Sequence, residues 1–150
     1  MIHRDIKPAN VLLKCEKGVI LKAVLTDFGF TCAAGSDHES PGSWMYMSPE
    51  LLKCAPNGQP GDVWACGVTL MELWTGLLED TPDEEWKERV AAEYQPPAQL
   101  GPCWQDRCEH LLQRSKYVHR HLKQCFLPMR ERIKMADLCA AMTVDKMGKE

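Results

Sequence analysis

Apolar positions early in the chain gather into two dense runs. Residues 11–15 read VLLKC and residues 19–25 read VILKAVL, with Glu16-Lys17-Gly18 between them. Two apolar, β-branched runs meeting at a Gly turn predict a β-hairpin. Beyond it the pattern stops: Phe30 to Ser43 (FTCAAGSDHESPGS) is small, polar and without period, and reads as loop. From Asp62 to Gly76, Val63, Cys66, Val68, Leu70, Met71, Leu73 and Trp74 surround the axis on nearly every side, as in a buried helix. Asp62, after Gly61, is expected as its N-cap, with Gly76 and Pro82 ending it. A further helix is expected from Thr81-Pro82, where Asp83, Glu84 and Glu85 suit the positive end of the dipole. YQPPAQLGP reads as a linker. After it Leu111, Leu112, Ser115, Val118, Leu122, Cys125 and Phe126 recur at helical spacing. The expected class is mainly α with one small β-hairpin.

Composition narrows this picture. A chain of 150 residues holds one domain at most, and 45% hydrophobic content suffices for a core. A net charge of −3 argues against a general nucleic-acid binder. No run of about 18 apolar residues is present to span a membrane. The start shows no charged n-region followed by an apolar h-region, so no secretion signal is expected. The eight cysteines (Cys15, Cys32, Cys54, Cys66, Cys103, Cys108, Cys125 and Cys139) form no C-x-x-C pair and no zinc spacing. They read as reduced intracellular thiols, several on apolar faces. His110, His119 and His121 also lack metal-ligand spacing and read as surface or boundary histidines. The carboxylates Glu79, Asp80, Asp83, Glu84, Glu85 and Glu88 read as a solvated helix face, or as a docking surface for a basic substrate.

Candidate chemistry is concentrated near the start. His3-Arg4-Asp5, then Lys7 and Asn10, fit H-R-D-x-K-x-x-N; Asp27-Phe28-Gly29 follows beyond the hairpin. Next come PGSWMYMSPE (Pro41 to Glu50) and DVWACGVTLMELWTG (Asp62 to Gly76). In this order the four stretches resemble the catalytic loop, the D-F-G triplet, the segment closing the activation loop, and the central C-lobe helix of a eukaryotic-type protein kinase. The resemblance covers roughly Ile2 to Ala141. Lys7, with P-x-N after it, is similar to the serine/threonine class.

That resemblance implies transfer of the ATP γ-phosphate to a Ser or Thr hydroxyl of a protein substrate, which asks mainly for positioning and charge stabilisation. Asp5 would accept the proton of the attacking hydroxyl, and Lys7 would contact the phosphate. Asn10 and Asp27 would be oxygen ligands of Mg²⁺. Arg4 would pair with a phosphate placed on the activation loop by an upstream kinase, with Thr31, Ser36 and Ser40 as candidate acceptors. Ser43 aligns with the Thr that touches the catalytic Asp and Lys. Asp62 would also bond the catalytic-loop backbone, and Arg132 would pair with Glu50.

The departures are specific. No G-x-G-x-x-G loop, no V-A-I-K lysine and no helix glutamate to orient that lysine are present. Ser48 stands in place of the usual Ala, Phe30 follows the D-F-G triplet, and Ile133 stands where Pro is common. The expectation is therefore a C-terminal lobe, residues 1–142, with a tail at 143–150 and Met1 as an internal methionine of a longer kinase. Without an N-lobe and the helix that leads into the catalytic loop, such a chain should expose an apolar patch and be marginally stable. The alternative is a non-catalytic lobe acting as a binding or competitor module. Small-molecule kinases of related fold tend to lack a segment like GSWMYMSPE.

Overall fold

A computed structural model describes residues 1–35, 42–53, 58–75 and 116–141. The elements are β1 (Val11–Glu16), β2 (Val19–Leu25), α1 (Pro49–Leu52), α2 (Gln59–Thr75), α3 (Lys116–Cys125) and α4 (Met135–Ala141). Short 3₁₀ turns at Pro8–Asn10 and Trp44–Tyr46 complete the set. Several expected features lie outside the described residues. They are the helix from Thr81-Pro82 with its acidic stretch, the linker, Leu111, Leu112, Ser115, His110, Ser36, Ser40, Gly76, Cys54, Cys103, Cys108 and the tail at 143–150. So do the side chains of Trp74, Val118 and His119.

The hairpin forms where the sequence places it. Val11 pairs with Leu25 and Leu13 with Ala23, antiparallel. Lys17 and Gly18 close it with φ of 50° and 80°, two successive left-handed residues of the kind a two-residue I′ turn requires. A bulge sits between Lys14 and Cys15, beside the directly opposed like charges of Lys14 and Lys22. Both faces are largely open: Leu12, Leu13, Val19, Ile20 and Leu21 are all more than half exposed. One face (Val11, Leu13, Ala23, Leu25) looks across a groove of about 670 Å³ toward Cys66, Thr69, Leu70 and Leu73 of α2.

The core is organised by α2. Val63, Trp64, Val68 and Met71 pack with Leu122, Cys125 and Phe126 at the end of α3 and with Leu138 of α4. Each such side chain contributes about 1.5–3 kcal/mol when fully buried. Trp64 and Phe126 meet edge to face at 5.1 Å, and the Arg132 guanidinium lies 5.2 Å from the Trp64 ring. Burial pushes the Cys66 thiol up to about 11 and that of Cys125 up to about 12, so both pack as neutral hydrophobes. The helix does not start at Asp62 as expected. It begins at Gln59, with Asp62 inside its first turn. Pro60 tolerates a place early in a helix, and the Gly61 amide reaches the Gly58 carbonyl at 2.9 Å to close the first turn. The Asp62 carboxylate is thereby freed from capping and used elsewhere.

Candidate active site

The catalytic-loop residues are brought to one place by three backbone devices. The Ile2 amide donates to the Cys32 carbonyl at 2.9 Å and the Ile2 carbonyl accepts the Cys32 amide at 3.0 Å, pinning the loop to the segment after the hairpin. The Thr26 amide donates to the Asn10 carbonyl at 2.9 Å, so the strand before Asp27 runs directly beside Asn10. From below, Asp62 of α2 accepts the amides of His3 at 2.7 Å and Arg4 at 2.9 Å. These bonds hold a backbone that is locally strained. Arg4 and Asp27 have φ of 71° and 61°, left-handed values that cost a non-glycine residue of order 1–3 kcal/mol.

Asp5 lies at the centre and is buried. Its Oδ2 meets the Lys7 Nζ at 2.9 Å and accepts from the Asn10 Nδ2 at 2.9 Å. Its Oδ1 accepts the Ser43 amide at 2.9 Å. Lys7 Nζ also donates to the Ser43 Oγ at 2.6 Å, which closes a ring of Asp5, Lys7 and Ser43. Burial by itself would raise the Asp5 carboxyl. The hydrogen bonds from Lys7, from Ser43 and from Asn10 outweigh it and hold the group below its ordinary value. The result is an ionised carboxylate beside a cation, on a rigid loop.

Asn10 and Asp27 offer oxygens toward a hard cation. Both amide hydrogens of Asn10 are used, to the Asp5 carbonyl at 2.8 Å and the Asp5 carboxylate, so its Oδ1 is the end left for a ligand. Asp27 is exposed, with Oδ1 accepting the Gly29 amide at 3.3 Å. One amide oxygen and one carboxylate fit Mg²⁺, which keeps several waters and takes few protein ligands. Among the described residues no cluster of three His, Cys, Asp or Glu side chains could hold a metal by itself.

Arg4 and Ser43 fall in the same neighbourhood, and Arg4 Nε donates to the Phe30 carbonyl. Glu50 and Arg132 lie apart from it. Arg132 grips both Glu50 oxygens, at 2.6 and 3.1 Å, and also donates to the carbonyls of Pro60 and Leu127.

Three contributors had no role in the sequence reading. The His3 ring bonds the Thr26 carbonyl at 3.1 Å and meets Phe28 edge-on at 5.2 Å. Gly42 has φ 119°, and a Cβ there would come 2.3 Å from the Arg4 carbonyl oxygen; its position just before Ser43 was the available signal. Tyr46 donates to the buried Glu72 carboxylate at 2.8 Å. Burial and that carboxylate push the Tyr46 phenol well above its ordinary value, so it stays a donor. Nothing local in the sequence pairs these two.

The chain is 43% identical over 81 residues to the calcium/calmodulin-dependent protein kinase type II alpha chain of Drosophila melanogaster. It is 42% identical over 81 residues to the type II subunit delta of Oryctolagus cuniculus. Over 80 residues it is 42% identical to the type II kinase of Caenorhabditis elegans. Each alignment covers 51% of this chain, but only 15%, 15% and 11% of the respective relatives. The protein kinase domain family matches residues 1–144, and the chain belongs to that family.

Proposed function

We propose that this chain is the C-terminal lobe, residues 1–142, of an intracellular serine/threonine protein kinase that transfers the ATP γ-phosphate to a protein hydroxyl. The observation that carries the proposal is the Asp5 carboxylate, ionised and fixed by Lys7, Asn10 and Ser43. In this reading Asp5 accepts the proton of the substrate hydroxyl as it attacks, and needs its low-basicity, oriented oxygen only at that moment. Lys7 neutralises charge on the moving phosphoryl group, and its bond to Ser43 sets where the ammonium points. Asn10 and Asp27 would hold Mg²⁺, which would supply positive charge to offset that of the phosphates. Arg4, whose Nε donates to the Phe30 carbonyl, would receive a phosphate placed on the activation loop. Asp62 positions the loop, and the Glu50–Arg132 pair fixes the segment that carries Ser43 and Tyr46.

The serine/threonine class is supported by Lys7 and by the names of the relatives. The intracellular location rests on reading the cysteines as reduced thiols. Among the described residues no helix is long and apolar enough to cross a membrane.

A second reading, a non-catalytic binding or competitor lobe, draws on the open apolar faces of the hairpin. The discriminating experiment isolates the endogenous product with an antibody against ADLCAAMTVDKMGKE and assays it with Mg-ATP. Phosphoryl transfer by a product well above 17.0 kDa, abolished by Asp5→Asn, supports the kinase. Transfer that survives Asp5→Asn overturns the site assignment. A product of 17.0 kDa alone, without transfer, favours the binding module.

A further inference from the structure

A second groove, of about 570 Å³, opens between the start of α2 and the segment leading into α4. Its walls are apolar, with Val63, Ile133 and Met135 joined by Met129, which is 40% exposed. Two cations, Arg130 and Lys134, stand exposed among the lining residues, and neither forms an ion pair among the described residues. Among the described residues, the other charged side chains lining it, Asp62 and Arg132, are already satisfied, and Met1 lines it as well. Both Asp62 oxygens accept loop amides, and Arg132 is taken up by Glu50 and two carbonyls. Glu131, between the two cations' neighbours in sequence, does not line the groove. The free charge of this surface is therefore positive, on a chain whose net charge is −3.

We infer that this groove docks an acidic peptide bearing bulky apolar side chains. The volume lies in the range of ligand pockets, roughly 300–1,000 Å³, and the hydrocarbon walls need an apolar group to displace water. The two cations then select carboxylates on either side of that group and steer the encounter. A nucleic-acid backbone offers no group for the apolar walls. A flat lipid surface cannot follow a concave one. The surface is separate from the Asp5, Lys7 and Asn10 cluster, so the inference stands independently of the proposed phosphoryl transfer.

The test uses the full chain and a fluorescein-labelled peptide in which Leu and Phe are flanked by Glu, followed by fluorescence polarisation. Saturable binding is expected, weakened at least about tenfold by the paired charge reversal Arg130→Glu and Lys134→Glu. Met129→Ser should weaken it as well, and so should replacing the peptide's Glu by Gln or raising the salt. All three substitutions are at exposed positions, and circular dichroism confirms that each variant is folded. Absence of saturable binding overturns the inference, as does equal binding by the charge-reversed chain. Equal binding of a peptide with Ser in place of Leu and Phe reduces the surface to non-specific charge and also overturns it. Binding to phosphatidylserine vesicles in preference to the peptide, lost on charge reversal, would replace the peptide with a membrane.

Discussion

Asp62 holds Arg4 in a left-handed conformation: its Oδ1 accepts the Arg4 amide at 2.9 Å while its Oδ2 accepts that of His3 at 2.7 Å. One side chain from the first turn of α2 thus fixes the two residues that precede Asp5. Asp62→Ala leaves two amides without an acceptor and should cost about 2–6 kcal/mol, at roughly 1–3 for each orphaned group. Asp62→Asn retains one carbonyl oxygen and should cost clearly less. Urea unfolding followed by tryptophan fluorescence measures both. A wild-type midpoint for Asp62→Ala would mean that the loop is held by something else.

Glu50 and Arg132 form the other long-range tie, joining α1 to the segment before α4. The Arg132 side chain is fully buried in this pair, so removing one partner strands a charge. Glu50→Ala alone should destabilise by about 3–5 kcal/mol, whereas an apolar pair such as Glu50→Leu with Arg132→Met should recover part of it. The recovery is limited because Arg132 also satisfies the carbonyls of Pro60 and Leu127. A double-mutant cycle with no coupling energy would show that the bidentate contact contributes little.

These two ties also mark how far the sequence alone could be read. The hairpin was legible because its signal is local: two apolar, β-branched runs and a Gly turn between them. The Asp5, Lys7 and Asn10 set was legible for the same reason, since the three sit on one short loop. Asp62 was assigned as a helix cap because an Asp after Gly is a local cap signal. The fold extends the helix back to Gln59, so the cap role is lost and the other expected one, the bond to the loop backbone implied by the family resemblance, is kept. Tyr46 and Glu72 were not paired by the sequence, since a contact between a 3₁₀ turn and a helix leaves no periodicity in either. Leu12 and Val24 are exposed on the hairpin, and no residue of an exposed apolar patch was named from the sequence, since an apolar run does not say which of its faces a partner covers.

Ser48 gives a prediction of the opposite sign. It is fully buried, it precedes α1 without capping it, and its hydroxyl has no hydrogen-bond partner among the described residues. A buried, unpaired hydroxyl costs about 1–3 kcal/mol on mutational scales. Ser48→Ala removes that penalty with little change in volume, so the variant should be more stable by about 1 kcal/mol. Thermal unfolding of the two chains side by side decides it. A lower midpoint for Ser48→Ala would place an acceptor or a water at that hydroxyl.

Asp5 links the site to acid stability. Burial would raise its carboxyl, but the bonds from Lys7, Ser43 and Asn10 prevail and hold it below its ordinary value in the folded chain. A carboxyl lowered on folding stabilises the fold above its unfolded value, about 3.9 for Asp, and that contribution is lost as pH falls through the folded value. The chain should therefore lose stability steeply on acidification below about pH 5. Asp5→Asn keeps the shape but carries no titrating group, so its stability should fall less over the same interval. The difference between the two chains isolates Asp5. Urea midpoints measured at intervals from about pH 6 to pH 2 give the two curves. Parallel curves would show that Asp5 titrates in the folded chain as it does in the unfolded one, and that its ring with Lys7 and Ser43 does not hold it ionised.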